Sequence, residues 1–370
     1  MLKRLKKLVK DLLAISWIRS VYEKITLGLL NFFAINRAFA TVYSLITLLT
    51  FNREQYAVLR GRRNYYRNLT KKRKSHVELR RNIHRLEKGI IMQPRRPIFA
   101  RDYIDETIGF YEQLISQYEA DKTSVDRSEL EWSHDVLKEY FSLSAADDRI
   151  VESARQRYER TLPHFTYERE IEKAPYIRND VKKSSITYDE LLELAMQRRS
   201  VRWFSKRRVP RDKVDKALLV GRQSPTACNR LPYEFRIFDE PDLVNRVAGL
   251  PFGAAGYAHQ IPTIIVVVGK LESYFSPRDR HAIYVDSSLA AMSFMLALET
   301  QGLSSSVINW PDFEPLELKA QKMLNLQVSE RIIMMIAVGY PDPNGGIPFS
   351  QKKSLDTLRT YNDMSANDAR

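Results

Sequence analysis

Cysteine is nearly absent from this chain, since Cys228 is the only one in 370 residues. One thiol excludes an intrachain disulfide framework and a cysteine-rich zinc module, which favours a cytoplasmic protein. The six histidines are scattered, with no pair four residues apart, so we predict no metal site. A Gly-x-Gly-x-x-Gly fingerprint, a Ser/His/Asp or Cys/His nucleophile pattern and a cleavable signal peptide are also missing. With 44% hydrophobic and 28% charged residues, the composition is that of a globular protein rather than a disordered one.

Acidic residues are scarce only at the start of the chain. Residues 1–100 contain 23 Lys and Arg against 5 Asp and Glu, a net charge of +18. Subtraction from the totals of 59 and 45 leaves 36 basic and 40 acidic residues in 101–370, a net charge of −4. The basicity is therefore local, which argues against a DNA-binding protein as a whole and predicts a basic helical arm over residues 1–100.

The arm begins with two apolar segments. Residues 1–13 place Leu2, Leu5, Leu8 and Leu12 on one side of a basic amphipathic helix. Residues 25–51 then form a 27-residue apolar stretch in which Arg37 is the only formal charge. Three interpretations stay open for it: packed helices of a soluble domain, an interfacial membrane anchor, or a true span, against which a central charge argues.

Residues 53–96 are rich in Arg and Lys with tyrosines between them. A solvated helix face, a contact with acidic phospholipid headgroups and a contact with nucleic acid are the three candidate roles, in that order. No RNA-recognition or zinc-finger pattern accompanies the charges, so we expect no specific nucleic-acid partner. An anionic membrane surface is a candidate partner of residues 1–100, with the protein peripheral at the inner face.

The next region, 101–183, has an acidic bias and the periodicity of three amphipathic helices. A linker is predicted near 176–186, so the last domain covers 184–370. A capping box formed by Thr187 and Glu190 begins a helix that runs into the segment QRRSVRWF. The side chains in this segment suit a phosphate, because arginine offers a planar and permanently charged fork: Arg198, Arg199, Ser200 and Arg202. The alternative is an ordinary helix end whose cations interact with the helix dipole.

Several elements follow that segment in order. The loop SPTACNRLPY leads into an alternating strand over 233–238, and a buried strand is predicted over 261–269. A nearly all-apolar helix over 287–303 is followed by SSSVINW and by a strand over 331–341. Trp203 is expected in the core. These patterns predict an α+β fold.

Four of these segments in sequence resemble the FMN-dependent nitroreductase family: QRRSVRWF, SPTACNRLPY, GLSSSVINW, and AVGYPD with QKKSLD. The match is colinear over 187–358. The resemblance implies a mixed, mainly antiparallel sheet flanked by helices, here preceded by an all-α N-terminal region. It also implies a homodimer with FMN between the subunits.

The resemblance assigns cofactor-binding roles residue by residue. It implies that the arginine segment holds the phosphate, ribityl chain and pyrimidine edge, and that the strand after the long helix supplies backbone contacts, with Ile308 and Asn309 near the flavin N5. It identifies no catalytic side chain, since the chemistry takes place on the flavin. The implied cofactor-binding set is Arg198, Arg199, Ser200, Arg202, Pro225, Thr226, Asn229, Val307, Ile308, Asn309, Lys352 and Lys353.

The implied activity is an NAD(P)H-dependent oxidoreductase that passes two electrons through FMN to an electrophilic, conjugated small molecule, of the nitro or quinone type or a biosynthetic intermediate. Leu231 and Tyr233 stand where the family usually has Gln and often Trp, so we expect a different substrate side of the pocket. The alternative is a non-enzymatic protein with a degenerate flavin domain, tethered to a membrane or to an anionic polymer.

Overall fold

The computed structural model describes residues 15–46, 51–70, 76–145, 148–168 and 171–362. The helix predicted over 1–13 and the basic run 71–74 lie outside the described residues. Contacts between Cα atoms divide the chain into two units, the first made of Met1–Arg67, Leu271–Arg280 and Pro311–Arg331 and the second of Asn68–Lys270, His281–Trp310 and Ile332–Arg370.

The elements are numbered in chain order. The α-helices of the described residues are α1 Ser16–Phe33, α2 Arg37–Ile46, α3 Asn52–Thr70, α4 His76–Ile90, α5 Ile104–Ala120, α6 Arg127–Leu143, α7 Arg149–Thr161, α8 Tyr188–Gln197, α9 Arg211–Gly221, α10 Pro241–Ala248, α11 Ala282–Glu299, α12 Glu314–Leu324 and α13 Leu355–Leu358. The strands are β1 Tyr233–Phe238, β2 Thr263–Lys270, β3 Ser304–Asn309 and β4 Glu330–Gly339.

The first unit packs α3 against two segments from late in the sequence. Gly61 allows the close approach, because a Cβ there would lie 2.8 Å from the Leu271 Cβ. Arg53 forms ion pairs with Glu314 and Glu317 of α12, and Arg62 donates to the Phe275 carbonyl at 3.0 Å. The expectation of a solvated basic face is therefore wrong for these two arginines, because their guanidinium groups form ion pairs and hydrogen bonds within the unit.

Helices α1 and α2 form a hairpin without a core. No residue from 15 to 45 is buried, so the described hairpin does not have the packing expected of helices in a soluble domain. By length and apolarity, one stretch among the described helices, Pro277–Glu299, is able to cross a membrane. Half of its most apolar window is buried in the protein, as is typical of a core helix.

The second unit begins with an all-helical part. Helices α5, α6 and α7 confirm the three helices predicted for residues 101–183, and Asp126 and Asp148 cap the last two through their carboxylates. With α4 they enclose a core that includes Ile83, Tyr111 and Tyr140. The expected all-α region before the sheet is confirmed for the described residues.

The rest of the second unit is built on a four-stranded sheet in the order β1-β2-β4-β3. The pairs β1/β2 and β3/β4 are antiparallel, with Tyr233 opposite Gly269 and Ser304 opposite Gly339 at their ends. An isolated bridge between Ser200 and Ser305 is parallel. The α+β class with a mainly antiparallel sheet is thus confirmed.

Helix α11 is the centre of this domain. It is apolar on nearly all sides, and its buried residues, Phe294 among them, share one core with β2, β4 and α9. Gly221 at the end of α9 permits this packing, since a Cβ there would lie 3.1 Å from the Ala290 carbonyl and 3.2 Å from the Phe294 Cβ. The candidate site is arranged along α11.

Candidate functional site

The arginine segment follows the end of α8. The predicted capping box is confirmed, because Thr187 and Glu190 bond reciprocally at the start of the helix. After Arg198 the chain is extended, and the Val201 N–H donates to the Ser305 carbonyl at 3.0 Å. The fold therefore brings the arginine segment beside the start of β3. The end of the same strand, residues 307–309, belongs to the predicted cofactor-binding set.

The arginine side chains of this segment have few protein partners. The Arg198 Nε is buried and makes no hydrogen bond. Arg199 donates to the Arg198 carbonyl, and Arg202 donates to the Ser200 carbonyl, both at 3.3 Å. Within the described ranges, none of the three guanidinium groups lies within ion-pair distance of a carboxylate. Three fixed cations without a paired anion suit a phosphate.

Polar groups surround the junction of α11 and β3. Glu299 accepts from Gln197 at 3.5 Å and from the Ser304 hydroxyl at 3.4 Å. Burial raises the Glu299 pKa above its usual value, while these two hydrogen bonds and the Arg198 charge oppose the rise. The hydroxyls of Ser305 and Ser306 are buried without a hydrogen-bond partner. Buried polar atoms of this kind are normally satisfied, so the junction has unused hydrogen-bonding capacity.

Strand β3 is the last strand of the sheet, so one of its edges is not paired with a strand. The Ser305 carbonyl points to that edge, since it accepts from Val201. Backbone groups alternate with a period of two along a strand, so the N–H groups of Val307 and Asn309 also point outward and that of Ile308 points toward β4. The side chains of Val307 and Asn309 are exposed and that of Ile308 is buried. The strand thus presents two outward N–H donors beside the arginine segment.

The Ser-Pro loop is held along α11 by contacts from Asp286 to Ser293. The Ser224 hydroxyl lies 2.9 Å from that of Ser293, and the Ala227 N–H donates to Asp286 at 3.0 Å. Inside the loop, the Leu231 N–H donates to the Thr226 hydroxyl at 3.2 Å. Pro225 is exposed and Thr226 is half-buried. The hydrogen bonds fix the loop backbone and leave the proline on the surface.

The loop backbone is also conformationally unusual. Cys228, Asn229 and Leu231 all have left-handed φ angles, of 55°, 52° and 47°. For residues other than glycine this conformation is costly and persists only where neighbouring contacts enforce it. The middle of the loop therefore needs a contact from outside it.

Helix α4 of the all-helical part supplies that contact. Arg80 donates from Nε to the Asn229 carbonyl at 2.8 Å, and its Nη1 lies 3.5 Å from Glu129. Beside it, buried Arg230 lies 3.8 Å from buried Glu78. Sequence reasoning missed these residues, because nothing in the pattern of α4 distinguishes them from its other charges.

Burial of Glu129 shapes the electrostatics of this contact. Burial raises the Glu129 pKa to about 7, with Arg80 opposing the rise and Asp126 adding to it. The all-helical region is therefore coupled to the candidate loop by charged groups, and is not only an appendage.

The arginine segment and the Ser-Pro loop contact α11 at different positions. The first is linked to Glu299, and the second to Asp286 and Ser293. Along the helix axis, Glu299 lies about 9 Å from Ser293 and about 20 Å from Asp286, at 1.5 Å per residue. These two segments are the half-sites of the candidate site.

Comparison with known proteins identifies this domain. The sequence model of the nitroreductase family matches residues 195–255 and 250–340. The C-terminal half of the chain is a nitroreductase-family domain. Pig (Sus scrofa) iodotyrosine deiodinase 1 is 23% identical over 52% of this chain and 75% of its own length. A Methanothermobacter thermautotrophicus protein provisionally named NADH dehydrogenase/NAD(P)H nitroreductase is 26% identical over 42% of this chain and 80% of its own.

Among solved structures, the FMN-dependent nitroreductase from Clostridium difficile R20291 is 18% identical, with a TM-score of 0.40 over 47% of this chain and 99% of that one. The match to the family model confirms the assignment made from the four segments. It makes the C-terminal half an oxidoreductase domain of the nitroreductase family.

The tail of the nitroreductase domain carries the predicted lysines. Lys352 and Lys353 are exposed, and Gln351 donates to the Lys352 carbonyl. In the described part of the tail, from residue 347 to 362, side-chain hydrogen bonds stay within the tail. The role of the two lysines at the phosphate stays a prediction.

A cavity of about 620 Å³ lies beside the end of the arginine segment. It is lined by residues such as Phe204, Lys206, Glu240 and His259. None of the predicted cofactor-binding residues lines it.

Proposed function

We propose that this protein is an FMN-dependent oxidoreductase, reduced by NAD(P)H, that delivers two electrons to an electrophilic, conjugated small molecule. One observation carries the proposal: three arginines within five residues have no carboxylate within ion-pair distance among the described residues, and the Nε of Arg198 is buried without any hydrogen bond. This donor set fits the phosphate of FMN, whose burial requires fixed cations.

The residues of this chain bind and orient the cofactor. FMN, when bound, supplies hydride and electron transfer. The guanidinium groups of Arg198, Arg199 and Arg202 would hold its phosphate and the polar edge nearby, with Ser200 between them in sequence. The N–H groups of Val307 and Asn309 would donate to the heteroatom edge of the ring. No protein acid is required for the transfer itself.

We further propose a homodimer in which each flavin is bound by both chains. Two observations support it: the half-sites contact α11 at separate positions, and the domain exposes a large apolar surface. Pro225, Thr226 and Asn229 of one copy would then complete the arginine site of the other, with Lys352 and Lys353 reaching its phosphate. The exposed apolar side chains lie on α8, α11 and the tail: Tyr188, Leu191, Met196, Val285, Leu289, Met292, Phe349, Leu355, Leu358 and Tyr361.

Mixed dimers test the shared site. Arg202→Ala disables the arginine half, and Asp286→Ala removes the acceptor that anchors the loop at Ala227. If each site uses both chains, a dimer of the two variants contains one site with both halves intact. We expect activity to reappear when the two inactive variants are unfolded and refolded together. No recovery, with dimers present by light scattering, contradicts the shared site.

Flavin binding tests the assignment itself. The purified full chain is expected to be yellow, or to gain flavin absorption when FMN is added. Arg198→Met and Arg202→Met are each expected to weaken FMN binding roughly 10- to 100-fold, the range of one lost charged hydrogen bond. Lys206→Met is the matched control, since it removes an exposed cation just beyond the segment. A colourless protein that binds no FMN supports the non-enzymatic alternative.

The acceptor class is tested with three substrates. A nitroaromatic and a quinone represent general electrophilic acceptors, and 3-iodotyrosine is added because a relative is named as an iodotyrosine deiodinase. Steady-state rates with NADH and with NADPH, compared across the three, rank the candidate reactions. Turnover of the first two at comparable rates supports a general reductase.

A further inference from the structure

Helix α1 of the hairpin exposes apolar side chains on two opposite sides. Ile25, Leu27 and Leu30 are each more than 40% exposed. At about 100° of rotation per residue, Ile25 points away from Leu27 and Leu30, which lie roughly 60° apart on the other side of the helix. A helix with apolar side chains on more than one side is normally buried in a large core or in a membrane.

Contacts within the hairpin hold its two helices together. Phe32 stacks on Phe39 with ring centroids 5.1 Å apart, and Phe33 contacts Tyr43 at 5.2 Å. Asn36 caps the second helix by accepting from the Phe39 N–H at 3.0 Å. Within the two helices, the backbone N–H and C=O groups of the hairpin hydrogen-bond to one another. This is the condition for placing backbone in lipid.

Charges in the hairpin favour one kind of lipid surface. Arg19, Lys24 and Arg37 are opposed by one acid, Glu23, which pairs with Arg19 at 2.8 Å. Trp17 lies in the first turn of α1, before the apolar stretch that begins at Ile25. Aromatic and basic side chains in this arrangement are typical of the headgroup region, where long cations extend to the phosphates.

The hairpin is too short to span a bilayer. From Ile25 the first helix has nine residues before it ends at Phe33, whereas a span needs about 20 apolar residues. A protein groove would cover only one stripe of each helix and leave the other directions in water. A single leaflet surrounds the apolar sides and leaves the ends at the headgroups.

We propose that the α1–α2 hairpin is a monotopic membrane anchor, lodged in one leaflet of an anionic bilayer, that holds the enzyme at the membrane surface. The anionic cytoplasmic leaflet is the expected surface, in line with the net charge of +18 over residues 1–100. This inference is independent of flavin binding and concerns a different part of the chain.

Flotation of the full-length protein with vesicles tests the anchor. Vesicles of phosphatidylcholine alone and with phosphatidylserine are used at low and high salt. The wild type is expected to float with both, and more strongly with phosphatidylserine at low salt. Leu27→Asp with Leu30→Asp is expected to lower the partition coefficient roughly 100-fold, since each lost apolar contact accounts for about a tenfold change.

Two control variants distinguish insertion of the hairpin from a general effect of added or removed charge. Leu318→Asp alters an exposed leucine of α12 and is expected to float like the wild type. Arg19→Gln with Lys24→Gln is expected to reduce only the extra binding to phosphatidylserine. Flotation of the double Asp variant at the wild-type level overturns the proposal. So does a change in its oligomeric mass without a change in flotation, which would make the hairpin a contact between copies.

Discussion

Replacement of Arg80 by methionine tests whether the all-helical region supports the flavin site. Arg80 lies in α4, and its Nε donates to the Asn229 carbonyl at 2.8 Å inside the Ser-Pro loop. Its guanidinium also lies 5.2 Å from the centre of the Trp132 ring. Methionine keeps much of the apolar contact with Trp132 and removes the donor and the charge.

The magnitude follows from what the loop loses. A hydrogen bond from a charged donor contributes about 1.5–3 kcal/mol. Cys228, Asn229 and Leu231 hold left-handed conformations that each cost on the order of 1 kcal/mol. The loop backbone is therefore expected to relax once the hydrogen bond from Arg80 is lost. Removal of the Arg80 charge also raises the Glu129 pKa further, so that this carboxyl becomes neutral rather than staying an unpaired buried charge. If the free energy of the lost hydrogen bond appears fully in cofactor binding, the FMN dissociation constant rises roughly 10- to 100-fold.

The assay is titration of the protein with FMN, followed by the quenching of flavin fluorescence, alongside thermal unfolding of the protein without FMN. Arg85→Met is the matched control, because Arg85 lies in the same helix but contacts Tyr103 and Asp102 instead of the loop. Arg80→Met with wild-type FMN affinity refutes the reasoning. A loss of stability in both variants without a selective loss of affinity refutes it equally.

Three further predictions concern stability. Burial raises the Glu129 pKa to about 7, above its ordinary 4.5. The contribution of this group to folding stability is therefore complete below pH 4.5 and is lost as the pH rises through about 7. Glu129→Gln should flatten that decline in urea unfolding measured from about pH 5 to 8. Gly269→Ala should destabilise the protein by about 1–3 kcal/mol in the same assay, because a Cβ there would lie 2.8 Å from the Ile333 side chain in the core; an unchanged midpoint would show that the core yields. Arg53→Met should cost about 3 kcal/mol and increase proteolysis within α3, since buried Glu317 loses its closest described cation; wild-type resistance would argue against this ion pair.

Local signals in the sequence predicted many elements well. The capping box at Thr187 fixes the start of α8 through contacts only three residues apart. Boundaries that depend on tertiary packing were less accurate: the long helix predicted over 287–303 is observed at Ala282–Glu299. Trp203, expected in the core, is 44% exposed, while its neighbour Phe204 is buried. In an extended segment, successive side chains point to opposite faces, and the sequence does not say which face the core occupies.

The candidate site was predictable to the extent that its residues share short segments. The order of four segments indicated the nitroreductase family, and the fold then placed Ser200 beside Ser305. The separation of the arginine segment from the Ser-Pro loop along α11 was not predictable, because periodicity describes one element at a time. The link from Arg80 to Asn229 joins residues 149 positions apart, and no local pattern marks either one.

The sequence by itself determined the class of the C-terminal domain, the basic character of the first 100 residues and the cations available for a phosphate, because composition, periodicity and short motifs act locally. Only the tertiary structure decided which arginines are used within the protein and which are left without a partner. It also decided that the two halves of the site contact the same helix, one at Glu299 and the other at Asp286 and Ser293. The physical reason is that burial and pairing depend on which distant segments meet, and only the folded chain brings those segments together.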